Sequence, residues 1–210
     1  MNPQVKKEHY FRKKYDDLGR FISYYYQIDL ARSLEPESIL EVGVGNGTVS
    51  DYLKKAGHKV TTVDVDPELK PDRLADVRKL PFGAASFDAV LAYEILEHLP
   101  FSELEKALGE LKRVSARHVL ISLPYRSTGF ELALKFPWVR TIFSRPFLNL
   151  FFRIPLRFGG FETSGQHYWE IDSAEYSLRK VRKIIKKHLK IKRELRPVLN
   201  HYHYFFVLEK

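Results

Sequence analysis

Three glycines stand at alternate positions, Gly43, Gly45 and Gly47, two residues after Glu41 in the run Ile39-Leu40-Glu41-Val42-Gly43-Val44-Gly45-Asn46-Gly47-Thr48. Glycines in such a loop let the chain turn sharply and let a ligand approach the backbone. The free amides at the start of a following helix favour a negative group. Glu41 works the other way, because a carboxylate at the strand end repels a pyrophosphate and suits a cationic or amino-bearing ligand. Asp64 ends the next apolar run, 21 residues after Gly43, where a carboxylate can accept bonds from both hydroxyls of a ribose. The dinucleotide spacing Gly-x-Gly-x-x-Gly fails, because counting from Gly43 its last position is Thr48. No Gly-Lys-Ser/Thr follows, so the phosphate-loop pattern fails as well.

A second group of residues could move protons. His98 follows Glu97, Tyr125 follows Pro124, and His167 and Glu170 share the run Gly165-Gln166-His167-Tyr168-Trp169-Glu170. Histidine, glutamate and tyrosine are the usual general acids and bases. Each has a plainer reading as a loop anchor or packing residue, and Trp169 reads as packing. Ser122-Leu123-Pro124-Tyr125 has only a faint likeness to the Asn-Pro-Pro-Tyr motif of amino methyltransferases. It lies after a different strand and begins with Ser122, so it does not predict that chemistry.

The elements that must position these residues follow from periodicity. Leu18, Phe21, Ile22, Tyr25 and Ile28 to Leu30 predict a helix over 15–34, closed by Pro36. Strands are predicted over 38–42, 59–63, 87–93 and 118–123, with helices over 48–56 and from Ser102 to Val114. Ser102 and Glu105 read as a capping box for the latter. Asp172 or Ser173 is expected to cap a basic helix reaching Leu189, followed by strands over 190–195 and 202–208. Alternating strands and helices predict an α/β fold with a parallel sheet.

From Ser38 to Pro124 the sequence resembles the class I S-adenosylmethionine-dependent methyltransferases, particularly their type 11-like, small-molecule branch. Glu41 to Gly47 matches the family's acidic-x-Gly-x-Gly-x-Gly motif. Ser86-Phe87-Asp88-Ala89-Val90 and Glu94-Ile95-Leu96-Glu97-His98-Leu99-Pro100 are similar to its later motifs. The resemblance implies a single Rossmann-like doubly wound sheet of about seven strands, mostly parallel with the last antiparallel, and helices on both faces. It implies S-adenosyl-L-methionine as cofactor. Glu41, Gly43, Gly45, Asn46 and Gly47 would hold its methionine part, Asp64 with Val65 the ribose, and Asp76 with Val77 the adenine, with Tyr93 nearby. His98, His167 and Tyr125 are the catalytic candidates. No metal ligands are assigned, since methyl transfer from a sulfonium requires alignment and, for a protonated nucleophile, a base.

One methyltransferase domain is expected, divided into a helical N-terminal extension over 1–37, a cofactor-binding core over 38–125, a lid or insertion over 126–172, and a C-terminal helix and strand pair over 173–210. Tyr24, Tyr25 and Tyr26 are placed where they could cover the cofactor. Between Glu131 and Glu162 the chain has no acidic residue but carries Lys135, Arg140, Arg145, Arg153 and Arg157 among many aromatics. That stretch reads first as a lid over an apolar pocket. It also suits an anionic lipid or membrane surface over 132–161, and less well nucleic acid. The net charge of +9 fits any of these partners.

The absence of cysteine excludes disulfides, thiolate metal sites and cysteine nucleophiles, and with them cytosine-C5 methylation through a thiolate. Met1 to Lys7 lacks the apolar core of a signal peptide, so the cytoplasm is the expected compartment. The leading expectation is methyl transfer to a small, hydrophobic or anionic acceptor. An RNA methyltransferase, a non-catalytic cofactor-binding protein and, more remotely, a nicotinamide enzyme are the alternatives.

Overall fold

The computed structural model describes residues 6–126, 129–138, 141–142, 147–154, 167–173 and 175–210. Among these, the central element is a seven-stranded sheet in the order β3-β2-β1-β4-β5-β9-β8. Its strands are β1 (Ser38–Val42), β2 (Lys59–Asp64), β3 (Arg73–Leu74), β4 (Phe87–Tyr93), β5 (Ser115–Pro124), β8 (Lys190–Leu195) and β9 (His203–Glu209). β1 to β5 are parallel, and β9 runs antiparallel to both β5 and β8. β1 and β4 are buried almost throughout, as strands covered on both faces must be. The helices are α1 (Leu18–Arg32), α2 (Thr48–Lys55), α3 (Leu104–Val114) and α4 (Leu178–His188).

Two apolar layers flank the sheet. One joins Leu104, Leu108 and Leu111 of α3 and Val181 and Ile185 of α4 to Val90, Val119 and Ile121. The other joins Tyr24 and Leu30 of α1 and Val49 and Leu53 of α2 to Ile39, Leu91 and Phe205. Because the strand order reverses beside β1, the carboxyl ends of β1, β2 and β4 open onto one crevice, the place where such folds receive ligands.

Two expected caps differ. Phe101–Glu103 forms a separate 3₁₀ turn, and α3 begins after Glu103 with no side-chain cap bond, so Ser102 and Glu105 form no capping box. Glu105 instead pairs with Lys187 at 2.6 Å, tying α3 to α4. The basic helix starts four or five residues later than expected, because Ser177 accepts the bond from Lys180 N and is the true cap. Asp172 and Ser173 belong to the preceding turn, where Asp172 adopts a positive φ of 69°.

The stretch after β5 contains an unforeseen hairpin, β6 (Gly129–Leu134) paired antiparallel with β7 (Leu148–Arg153). Its inner face docks on the turn between β8 and β9. Glu131 accepts from Leu199 N at 2.8 Å, and Phe151 packs on His201 and under Arg196. Arg140, Arg145 and Arg157 lie outside the described residues, as do Phe143 and Phe158.

Candidate functional site

β1 delivers Glu41 and then the glycine loop to the crevice. Gly43, Gly45 and Gly47 all have positive φ (89°, 55° and 79°). At Gly43 a side chain would also collide with Ile95, so the loop is built tight against the turn that follows β4. Asn46 accepts from Thr48 N at 3.2 Å and donates to Asp16 at 3.1 Å, fixing the loop to the start of α2 and to the N-terminal segment.

A cleft of about 320 Å³ runs from this loop across the ends of β1, β2 and β4. Glu41, Gly43, Gly45, Asn46, Asp64, Val65, Val77, Tyr93, His98 and His167 all line it. The sequence placed these residues up to 126 positions apart, and the sheet brings them together. Tyr24 also lines the cleft, as expected of it. Tyr25 and Tyr26 do not: Tyr25 is exposed and Tyr26 packs towards Phe205.

Three expected site residues stand elsewhere among the described residues. Gly47 lies behind the loop as the left-handed N-cap of α2. Asp76 is gripped by Arg78 through Nε and Nη2, at 2.9 and 2.6 Å. Those bonds hold its carboxyl well below the usual carboxylate range. Tyr125 is buried against Tyr204, and its hydroxyl donates to Asp172 at 3.3 Å. Trp169 is fully buried and donates to Leu99 O at 3.1 Å, as a packing residue should.

Electrostatics divide the cleft in two. At the loop end, Glu41 is 4% exposed and its Oε2 has no hydrogen-bond partner among the described residues. Burial pushes its carboxyl up to about 8, against a smaller opposing effect from the Ser50 hydroxyl. Asp64 spans the adjoining backbone, accepting from Val44 N at 2.8 Å and Asp66 N at 3.0 Å.

At the other end, Glu94, Glu97, His98, His167, Tyr202 and His203 converge. The His98 and His167 rings stand edge to face with centroids 5.0 Å apart. His167 Nδ1 meets Glu170 Oε1 at 2.9 Å, and Tyr202 donates to the same oxygen at 2.7 Å. Burial is the largest single effect and works against ionisation of Glu170, but these two bonds together with the charges of His167 and Arg126 hold its carboxyl below the usual range. Glu97 is fully buried, and burial followed by the charge of Glu94 pushes its carboxyl well up. His203 Nδ1 lies 2.6 Å from Ser23 Oγ, and burial lowers its imidazole.

Several cleft residues were missed by sequence reasoning. Arg20 and Gln27 share one face of α1 with the expected Tyr24 and line the cleft, while Leu18, Phe21 and Tyr25 face solvent. Their i, i+4, i+7 spacing was the available signal. Tyr10 and Tyr15 come from the N-terminal segment, where the Tyr10 ring lies over Gly45. Sequence reasoning assigns that segment only to the N-terminal extension over 1–37, with no role at the site. Tyr202 and His203 arrive from the distant C-terminal strand pair, and no local pattern marks their approach to the cleft.

This strand order, with a glycine loop after β1 and an acidic residue ending β2, defines the Rossmann-like class I methyltransferase fold. Residues 40–121 match the family model described as "Methyltransferase domain". Over these residues the chain carries a methyltransferase domain similar to the class I S-adenosylmethionine-dependent enzymes of the type 11 branch. It is 31% identical over 121 residues to a ubiquinone biosynthesis O-methyltransferase of Xanthomonas axonopodis, matching 48% of this chain and 50% of that protein. A protein of the same description from Methylocella silvestris is 37% identical over 118 residues, 49% of this chain and 46% of its own length. The chain thus spans about half the length of the curated relatives it matches. Among solved structures, magnesium protoporphyrin IX methyltransferase from Synechocystis with bound S-adenosylhomocysteine superposes with a TM-score of 0.64 at 14% identity. That alignment covers 99% of this chain and 95% of the other.

Proposed function

We propose that this domain transfers the methyl group of S-adenosylmethionine to an oxygen of a small, largely apolar acceptor. The observation that carries the reading is that one cleft joins the glycine loop and Asp64 to the His98–His167 pair. In this reading Gly43, Gly45 and Asn46 cradle the methionine part, and Glu41 faces its cationic groups. Asp64 and Val65 receive the ribose, with Val77 and Tyr93 flanking. Bound cofactor supplies a methyl carbon already activated by its positive sulfur.

The chain's task is then alignment and proton removal. As the acceptor oxygen bonds to the methyl carbon, the carbon–sulfur bond breaks and the acceptor hydroxyl proton must leave. His98 and His167 stand where an acceptor would sit, and Glu170 with Tyr202 fixes the His167 ring. The names of the curated relatives, O-methyltransferases, favour oxygen as the attacking atom.

A second reading concerns where the acceptor comes from. Phe130, Leu132, Leu150 and Phe152 form an exposed face of the hairpin, with Phe130 and Phe152 stacked. Phe136, Trp138 and Ile142 are exposed nearby in sequence, and an apolar groove lined by Phe21, Tyr25, Phe147 and Leu199 adjoins the turn that the hairpin docks on. None of the described hairpin residues lines the cleft. An apolar face with basic residues in the same segment suits a lipid surface more than a lid. No helix among the described residues is long and apolar enough to cross a membrane.

The test is thermal unfolding with S-adenosylmethionine, with S-adenosylhomocysteine and with NAD. Ligand at 100 times its dissociation constant adds about 2.7 kcal/mol, which raises the midpoint of a domain this size by roughly 5–11 °C. A rise with the first two and none with NAD is expected, followed by methyl transfer from labelled cofactor to a panel of phenols. No rise at millimolar ligand would sink the reading.

A further inference from the structure

Glu97, His98 and His167 each bring one metal-ligating atom to a common point, all within 4.8 Å of one another. Glu97 and His98 sit in the 3₁₀ turn Leu96–His98, directly after β4. His167 comes from the far side of the insertion and is pinned there because Tyr168 N donates to Glu97 O at 2.9 Å. The arrangement is therefore fixed by backbone as well as side chains.

Two further observations point to a cation. Glu97 is fully buried, yet neither of its carboxylate oxygens has a hydrogen-bond partner among the described residues. An unpaired buried carboxylate costs several kcal/mol unless it is neutralised or faces a cation. His167, for its part, shows the outer-carboxylate arrangement common around metal-bound imidazoles. With Nδ1–H donated to Glu170, the lone pair of a neutral ring lies on Nε2. Tyr202 locks Glu170 in turn.

We propose that Glu97, His98 and His167 hold a divalent transition-metal ion at the acceptor end of the cleft. Two imidazoles and one carboxylate suit Zn²⁺ or Mn²⁺ better than Ca²⁺, and three protein ligands leave positions open to a ligand in the cleft. Ligands at about 2.0–2.2 Å from a tetrahedral ion stand roughly 3.4 Å apart, so small side-chain rotations close this set. The ion's task rests on the oxygen-methylation reading: it would hold the acceptor hydroxyl and lower its pKa, so that the proton leaves to water. His98 and His167 would then be ligands and not bases. The site itself stands independently of that reading.

The experiment uses the full chain, stripped with EDTA, dialysed, and titrated with ZnCl₂ and separately with MnCl₂ by calorimetry. Bound metal is counted by elemental mass spectrometry. One ion per chain is expected. Glu97→Gln, His98→Ala and His167→Ala should each abolish stoichiometric binding, and Glu170→Gln should weaken it about 10–100-fold. The S-adenosylhomocysteine-induced rise in midpoint, measured on the same samples, should persist in all four variants and so report that they are folded. No saturable binding of either ion to the wild-type chain, or binding unchanged in all three ligand variants, overturns the site. Stoichiometric metal with no response to S-adenosylhomocysteine would support the site while removing the methyl-transfer reading.

Discussion

The Asp64 carboxylate accepts a hydrogen bond from the Val44 backbone at 2.8 Å, joining the end of β2 to the glycine loop across the sheet. The same carboxylate has its other oxygen on Asp66 N at 3.0 Å, so it is aimed by two backbone amides before any ligand arrives. In the reading above it also receives the ribose. Asp64→Ala should therefore abolish the rise in midpoint produced by S-adenosylhomocysteine and lower the ligand-free stability modestly, by about 1–2 kcal/mol for the bonds lost. Asp64→Asn keeps an acceptor for Val44 but loses the charge. Its amide nitrogen then faces Asp66 N and cannot accept, so it should recover only part of the ligand-free stability and little of the ligand response. Scanning calorimetry of both variants, with and without ligand, separates the two roles.

Gly43 meets a double constraint. Its φ is 89°, and a Cβ there would strike Ile95. Gly43→Ala should cost more than about 1 kcal/mol from backbone conformation alone, with the Ile95 collision added. Gly43→Ala combined with Ile95→Ala should regain the collision part but not the conformational part. Urea midpoints of the two variants check this, and equal destabilisation in both would show that Ile95 yields freely.

What the sequence made legible was whatever chemistry repeats at short range. Glu41 to Gly47 could be read because a strand end, a tight loop and a helix start are encoded within ten residues. Asp64 could be read because it ends the next strand. Burial on both faces made β4 legible to the residue, as 87–93. Sequence shows the Asp76 carboxylate but not that Arg78, two residues on, grips it. Nor does sequence show that the end of β5 carries Tyr125 into the core against Tyr204. The hairpin went unseen because its outer positions are apolar and exposed, so no polar alternation marks its pairs. Tyr202 and His203 reach Glu170, Glu94 and Ser23 only because β9 returns antiparallel beside β5, a relation with no local trace.

Glu41 gives the cleft a pH dependence. Its carboxyl is raised from 4.5 to about 8, with burial the leading cause. Between those two values the folded chain holds a proton that the unfolded chain has released. Ligand-free stability should therefore fall as pH rises from about 4.5 through about 8. Glu41→Gln removes this contribution and should raise the ligand-free midpoint at about pH 8, since a buried carboxylate with an unpartnered oxygen is lost. A cationic ligand favours the ionised carboxylate. The affinity of wild-type protein for S-adenosylmethionine should thus increase from about pH 6 to about pH 8. In Glu41→Gln the affinity should be lower and flatter across that range. Calorimetric titrations at several pH values check both slopes, and a wild-type affinity that declines over this interval would remove Glu41 from the cofactor's cationic end.

Trp169 tests the packing beneath the acceptor end. It is fully buried, meets Phe101 edge to face at 5.0 Å and donates to Leu99 O. Trp169→Ala should cost about 3–5 kcal/mol, as large aromatic deletions in cores do. Trp169→Phe keeps most of the volume but leaves Leu99 O without its donor, and should cost about 1–3 kcal/mol. Because His167 is two residues away, Trp169→Phe should also loosen the edge-to-face His98–His167 pair. Chemical denaturation measures the first effect, and histidine ring NMR shifts measure the second.

The exposed face of the hairpin makes the last prediction. Phe130, Leu132, Leu150 and Phe152 are each at least 42% exposed, and their cross-strand register aligns them on one side. The opposite side is already committed, through Glu131 to Leu199 and Phe151 to His201. Leaving four large apolar side chains in water forgoes roughly 1.5–3 kcal/mol for each that could be buried. If a lipid surface covers them, the chain should float with vesicles containing phosphatidylserine. It should bind more weakly to purely zwitterionic vesicles, because the net charge of +9 adds attraction only to the former. Phe130→Ser with Phe152→Ser should reduce flotation on both. The response to S-adenosylhomocysteine should be retained, since neither residue lines the cleft. Raised salt alone should weaken only the anionic component. If the double variant floats as the wild type does, contact through this face is excluded and any vesicle binding belongs to charge alone.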